Sequence, residues 1–349
     1  MNDEKNVFSR LIEALLDDSD PFPPSYLHLF SDISRQDLAE LKTHWPQVNP
    51  NRRVTLLKDL EELAEVDMQM SFDNLGKFAL NDPQPEVRAA AARILWECHD
   101  KKLIPVYLNM VKNDEAEIVR AAAASALGTF VYQGELEEIP EATLSTIVAI
   151  LLEITRGKDS KLVKRRALES LGFSGHADVH NLIQEAFHKK DKEWLITSLF
   201  AMGRSADQRW EESILDQLDD PDVDIQTEAI RAAGQLELAS ARKPLLTILK
   251  NESEIDDSVR SAAIISISQI GGEGVIEILS ALLEKSEDEE VSGFIEDAIG
   301  FLSFIQDLQF PGILDFESDE DDLIPLLEDE TGLDFFDSMD DDLELDNLN

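Results

Sequence analysis

Residues 87–95 read VRAAAARIL and residues 119–128 read VRAAAASALG. An apolar residue, a basic one and a run of alanines, written twice 32 positions apart, is one helix face copied. Weaker copies begin at Val163, Trp194, Ile225, Val259 and Val291, so the seven anchors are spaced by 32, 44, 31, 31, 34 and 32 residues. A period of that size belongs to stacked helical hairpins, each burying its apolar side against its neighbours. The expected fold class is all-α, a right-handed solenoid of about seven to eight such units.

Alignment on the anchors shows what each position is for. Seven residues after the anchor stand Ile94, Ala126, Ser170, Ala201, Ala232, Ser266 and Ala298, mostly small groups that let helices approach. Eight after it stand Leu95, Leu127, Leu171, Met202, Ala233, Ile267 and Ile299, which fill the space between layers. Nine after it, most copies have glycine. Asp82, Asp114 and Asp220, five residues before their anchors, are placed to cap the helix N-termini. The 44-residue spacing predicts an insertion around Gln133–Glu141 that lengthens a loop and leaves the stack continuous.

Outward from the array, Val7, Phe8, Leu11, Ile12, Leu15 and Leu16 fall at helical spacing, and Ser34 followed by Asp37 resembles a capping box. Residues 1–80 read as an N-terminal helical cap with one divergent repeat, 81–314 as the array, and 315–349 as an acidic tail expected to be disordered when free. No lysine or arginine follows Lys285, while 23 acids lie between Ser286 and Asn349.

The whole chain has 73 acidic against 31 basic residues, a formal charge of -42. Phosphate backbones and anionic membranes are repelled by that balance, so neither nucleic acid nor membrane is an expected partner. A single cysteine, Cys98, and an N-terminal stretch carrying Asp3, Glu4 and Glu13 point to a soluble protein of a reducing compartment, the cytoplasm by default.

Through DPQPEVRAAAARIL (82–95), NDEAEIVRAAAASALG (113–128) and DPDVDIQTEAIRAAGQLELASARKPLLTILK (220–250), the array resembles HEAT repeats of the kind named after phycobilisome lyases, over roughly Asn81 to Leu308. That family includes bilin-attaching lyase subunits, a di-iron deoxyhypusine hydroxylase and many scaffolds with no chemistry. The resemblance implies that second helices line the inner curve, with Arg156, Arg209, Trp210, Arg242 and Lys243 as candidate partner contacts.

The residues themselves argue against chemistry. A di-iron site of the hydroxylase type would require His-Glu dipeptides, and His28, His44, His99, His176, His180 and His188 are followed by Leu, Trp, Asp, Ala, Asn and Lys. His180 and His188 lie two turns apart, about 12 Å, too far for one ion to bridge. Cys98 beside His99 is read as a buried thiol, because adjacent helical residues point about 100° apart. No cofactor, metal or catalytic residue is assigned.

Positive charge gathers in one place, at Arg156, Lys158, Lys161, Lys164, Arg165, Arg166, Lys189, Lys190 and Lys192. Either these form a solvated face or they form a docking patch. The tail interleaves its acids with Leu323, Ile324, Leu327, Phe335, Phe336 and Met339, a pattern suited to docking by an amphipathic turn. The expected function is a non-enzymatic protein-binding scaffold or adaptor, whose tail docks on the central repeats of its own or a second copy until a basic partner competes for it. The alternative is an accessory subunit of a lyase or other modifying enzyme, with catalytic groups supplied by a partner.

Overall fold

The structure, a computed structural model, describes residues 2–67, 69–250, 255–286 and 289–308, and the tail positions Leu323, Ile324, Leu327, Phe335, Phe336 and Met339 lie outside them. All regular structure among the described residues is helical, and the chain divides into two compact units, one holding Met1–Asn81 and the other Asp82–Asp307.

The first unit comprises α1 (Asn2–Leu16), a 3-10 segment (Pro24–Phe30), α2 (Arg35–His44), α3 (Pro50–Val66) and α4 (Asp73–Ala79). Ser34 caps α2 by accepting the Asp37 N–H at 3.1 Å. Arg52 on α3 donates to the carbonyls of Ala14, Asp17 and Asp20 at 3.3, 2.7 and 2.6 Å. The end of α1 and its following loop, which prolines keep from continuing as helix, are thereby fixed to α3.

The second unit is a series of hairpins: α5 (Pro85–Ile94) with α6 (Ile104–Asn113), α7 (Glu117–Glu135) with α8 (Glu141–Arg156), α9 (Lys161–Leu171) with α10 (Ala177–Phe187), α11 (Lys192–Arg204) with α12 (Glu211–Leu215), α13 (Val223–Gln235) with α14 (Arg242–Lys250), and α15 (Asp257–Ile270) with α16 (Val275–Leu283). The last described helix, α17 (Glu289–Leu308), carries the seventh anchor. This is an all-α solenoid. The first helices α5, α7, α9, α11, α13 and α15 pack on one another in series, and each second helix packs against first helices.

The glycine nine residues after the anchor now has a reason. A Cβ on Gly172 would lie 2.9 Å from the Ala201 Cα, on Gly203 3.0 Å from the Ala232 Cα, and on Gly234 2.7 Å from the Ser266 Cα. Glycine in one hairpin therefore meets the small residue at position seven of the next. Ser170 and Ser266 at that position donate to the Ala124 and Ile230 carbonyls at 2.8 Å, so their hydroxyls are satisfied inside the seam.

Two expectations are corrected. The insertion after the second anchor does not lengthen a loop: α7 has 19 residues and α8 has 16, with only five residues between them. The apolar periodicity of that stretch carries both helices further, which satisfies backbone groups that a long loop would expose. The aspartates five before the anchors are not the caps either. Helices α5, α7 and α13 have Gln84, Ala116 and Asp222 as N-caps, while Asp82, Asp114 and Asp220 accept the N–H two residues on, at 2.8, 3.0 and 2.8 Å, shaping the turn that leads into each helix.

Asp114 also joins neighbouring hairpins. Arg88 Nε and Nη2 donate to its carboxylate at 2.9 and 2.8 Å, while Arg88 Nη1 donates to the carbonyls of Asp82 and Pro83. One hairpin on, Arg120 repeats the pattern with Asp159 and with the carbonyls of Asp114 and Glu115. A two-pronged guanidinium–carboxylate contact fixes direction as well as distance. From α9 onward lysines replace the arginines, two residues before the anchor: Lys161 reaches Asp191 at 2.9 Å and Glu193, and Lys192 reaches Asp222 at 2.9 Å and Asp224.

Candidate docking surface

The predicted basic cluster occupies α8 to α11, and its members differ in how their charge is used. Arg156 pairs with Asp178 at 2.8 Å, Arg166 with Glu169 at 3.0 Å, and Lys161 and Lys192 belong to the inter-hairpin series. Lys158, Lys164 and Lys190 make no ion pair among the described residues. Lys189 places its ammonium 3.1 Å from the centroid of the Trp194 ring. Burial lowers the Lys189 pKa, and the charges of Lys164 and Lys161 lower it further against Glu185 and Asp191, so these lysines share one neighbourhood. Lys158, Lys189 and Lys190, which form no ion pair among the described residues, therefore stand on two consecutive inter-hairpin turns, 157–160 and 188–191, while Lys164 lies on the first turn of α9, where its charge helps to lower the Asp159 pKa.

Arg165 and Trp210 are not surface contacts: they are 8% and 4% exposed. Arg165 Nε donates to Thr197 Oγ1 at 2.8 Å, and Thr197 in turn donates to Glu169 Oε1 at 2.7 Å. Burial pushes the Glu169 carboxyl up, but the Arg166 and Arg165 charges and the Thr197 hydroxyl outweigh it and hold the pKa below its ordinary value. Trp210 stacks on His180 at 4.4 Å between centroids. Arg209 closes on Asp207 of its own turn, and Arg242 donates to the Gly271 carbonyl at 2.5 Å, leaving Lys243 exposed beside Asp219, Pro244, Thr247 and Ile248.

The histidines serve local structure. His176 caps α10 by accepting the Asp178 N–H at 3.2 Å, and the His188 ring nitrogen lies 2.7 Å from the Gln184 carbonyl. Among the described residues no three His, Cys, Asp or Glu side chains converge as metal ligands. Cys98 and His99 lie past the end of α5 rather than on a helix, and it is burial that separates them, the thiol inside and the imidazole exposed.

A second surface was not anticipated. Tyr132, 48% exposed, contacts Phe173 at 5.2 Å between centroids, and the Arg204 guanidinium lies 4.7 Å from the Phe173 ring and 3.9 Å from the Phe200 ring. The signal lay in the position ten residues after the anchor, where Phe173, Arg204, Gln235 and Gln269 follow one another. No helix among the described residues is long and apolar enough to cross a membrane.

Residues 72–143 and 211–300 match the family model of HEAT repeats. No curated protein matches the sequence. Among solved structures the chain is similar to the E. coli protein YibA, at 18% identity over 80% of this chain and 96% of that one, with a TM-score of 0.39. It is similar to Kap121p bound to Ste12p, at 15% identity over 93% of this chain and 39% of that one, TM-score 0.40, and to human deoxyhypusine hydroxylase in complex with glycerol, at 14% identity over 86% and 97%, TM-score 0.34. The stretch between the two matched segments, 144–210, is where Arg165, Arg166 and Thr197 replace alanines of the earlier copies and where the basic cluster lies. Two segments of the chain, 72–143 and 211–300, thus match HEAT repeats, and the charged stretch between them departs from that pattern.

Proposed function

We propose that the array is a non-enzymatic protein-binding scaffold or adaptor, that the turns bearing Lys158, Lys189 and Lys190, with Lys164 at the start of α9, are its electrostatic docking face, and that residues 315–349 regulate access to it. The carrying observation is the contrast between lysines that form no ion pair among the described residues, on two adjacent turns and the start of α9, and a chain whose formal charge is -42. Opposite charges attract over about 8–10 Å at physiological salt, enough to recruit an acidic segment to those turns. The tail supplies such a segment, and a basic partner that binds the tail frees the turns. The single buried thiol, Cys98, supports a cytoplasmic setting.

The test is affinity purification from the native cell of the full chain, of the double variant Lys158→Glu with Lys190→Glu, and of a variant with Asp340, Asp341 and Asp342 changed to asparagine, followed by mass spectrometry. A salt-sensitive partner lost from the lysine variant and altered in the tail variant is expected. Identical recovery from all three sinks the proposal. A bilin or other small ligand that raises the melting temperature points instead to the accessory-subunit role.

A further inference from the structure

The array ends on a hairpin of which only the first helix is described. Every first helix from α5 to α15 is followed by a second, and none follows α17 among the described residues. Position eight after the anchor registers the difference: from Leu95 to Ile267 the side chain there is at most 2% exposed in all six earlier copies, whereas Ile299 stays partly exposed. Position five marks the stacking face. Ser170 and Ser266 of the following hairpins donate to the carbonyls of Ala124 and Ile230 at that position, and from Ala92 to Ile264 it is apolar and at most 2% exposed. In α17 it is Glu296, exposed, one turn from the exposed Gly300. A polar outer face of that kind closes a stack, so α17 takes no further first helix, whether of this chain or of a second copy. What the hairpin still needs is cover for Ile299.

The remaining chain contains a copy of a second helix. Leu-Ile-Pro occurs twice in the sequence, in LIPVY at 103–107 and in LIPLL at 323–327. At the first occurrence the use of each residue is visible. Leu103, Ile104 and Tyr107 are buried, at 5%, 5% and 1% exposure, and Pro105 stands exposed as the second residue of α6, where its missing N–H has no helical partner to lose. Asp100 caps the turn before it by accepting the Lys102 N–H at 3.1 Å. The second occurrence keeps the apolar pattern at Leu323, Ile324 and Leu327. Ahead of it stand Glu320, Asp321 and Asp322, where a helix N-terminus favours negative charge, and behind it Gly332 supplies a helix stop. Glu330 and Thr331 replace the buried Met110 and Val111, so the apolar stripe of the copy is one turn shorter. A helix over 324–331 is close to the nine residues of α14 and of α16.

We infer that residues 324–331 are the second helix of the last hairpin, with Leu323, Ile324 and Leu327 packed on the Ile299 flank of α17 in the same copy. The connection is long enough: 309–322 spans up to about 46 Å when extended, against about 30 Å for the whole 20-residue length of α17. Neither α17 nor the segment carries a lysine or arginine, so burial of apolar surface alone holds them together. The inference goes beyond the lysine-turn reading and does not depend on it. It assigns 323–331 to the array and leaves 333–349, with Phe335, Phe336 and Met339, as the part of the tail available to dock.

The experiment uses the full chain with Leu327→p-benzoylphenylalanine, at the position where α6 has the aromatic Tyr107, irradiated, digested and analysed by mass spectrometry. Crosslinks to 275–283 or 292–303 in a product with the mass of one copy are expected, with a yield that holds at about 1 M salt, where charges are screened beyond about 3 Å. The same crosslinks in a product of two copies, a yield abolished by salt, or no crosslink to the array overturns the inference. Crosslinks only to 157–164 or 188–192 overturn it while leaving the lysine-turn reading in place. Hydrogen exchange of 295–304 gives a second reading in the full chain. Ile324→Asp with Leu327→Asp is expected to speed it about tenfold by opening the hairpin, and Phe335→Asp with Phe336→Asp to leave it unchanged. Exchange unaffected by the first pair, or raised equally by both, overturns the assignment.

Discussion

Asp159 accepts two hydrogen bonds from the Arg120 guanidinium, at 2.9 and 2.7 Å, across 39 residues of sequence, whereas the equivalent pair Arg88 and Asp114 spans only 26. The extra residues enter as helical turns of α7 and α8, so the register between hairpins survives the insertion. Arg120 lowers the Asp159 pKa, against burial, with help from the Ser160 N–H. A carboxylate depressed in the folded state contributes stability that is present above its unfolded pKa of about 3.9 and is lost as pH falls through the folded value. Asp159→Asn is expected to cost about 2 kcal/mol at neutral pH. In urea unfolding the cost should shrink below about pH 4 as the wild-type carboxylate protonates. A cost that stays constant from neutral to acid refutes the assignment.

Gly172 is C-cap of α9 and lies against the backbone of Ala201 on α11, so alanine there must move one helix. Gly172→Ala is expected to cost about 1–3 kcal/mol. Gly300 on α17 has nothing within 4 Å of a built Cβ, and Gly300→Ala is expected to stabilise by up to about 1 kcal/mol through helix propensity. Thermal unfolding of the two variants checks this, and a loss at both positions would show that helix propensity, not the seam, had been misjudged.

Position seven and the glycine at position nine were legible in the sequence because steric closeness leaves only small residues, as the alignment of Ala201 and Gly172 shows. The joining ion pairs were half legible. Arg88 and Arg120 stand at a regular offset, but their partners are in the next hairpin, where spacing alone reads Asp114 as a cap. Lys161 and Lys192 take over from two residues before their anchors, so alignment on the anchors does not match them with Arg88 and Arg120. Counting charge placed Arg165 and Arg166 in a surface patch, because composition does not distinguish a cation facing water from one facing Glu169 and Thr197. The Tyr132–Phe173–Arg204 contacts cross three hairpins and depend on which helix faces are left open, which one repeat read alone does not contain.

Glu237 adopts φ 50 where α13 turns toward α14, with its N–H donating to the Gly234 carbonyl at 2.8 Å and the Leu238 N–H to Ala233 at 3.0 Å. This is a helix end that glycine favours, since a Cβ is strained in the left-handed region. Glu237→Gly is expected to stabilise by up to about 1 kcal/mol, the relief of strain being offset in part by greater freedom of the unfolded chain. Chemical denaturation gives the sign, and destabilisation would mean that the glutamate side chain makes a compensating contact.

Thr197 is where charge enters the seam between α9 and α11, accepting from Arg165 Nε and donating to Glu169, with all three side chains buried. Valine matches threonine in shape but supplies neither bond. Thr197→Val is expected to cost about 2–3 kcal/mol, and Thr197→Ser, which keeps the hydroxyl and loses a methyl, about 1 kcal/mol. The threonine hydroxyl is also one of the groups that hold Glu169 ionised against its burial. In the valine variant the Glu169 pKa therefore rises, and stability that depends on that carboxylate being ionised is lost at a higher pH than in the wild type. Denaturant unfolding of the three proteins across the acid range separates the possibilities: equal costs for valine and serine would mean that packing dominates, and an unshifted acid limb would mean that Arg165 and Arg166 alone keep Glu169 charged.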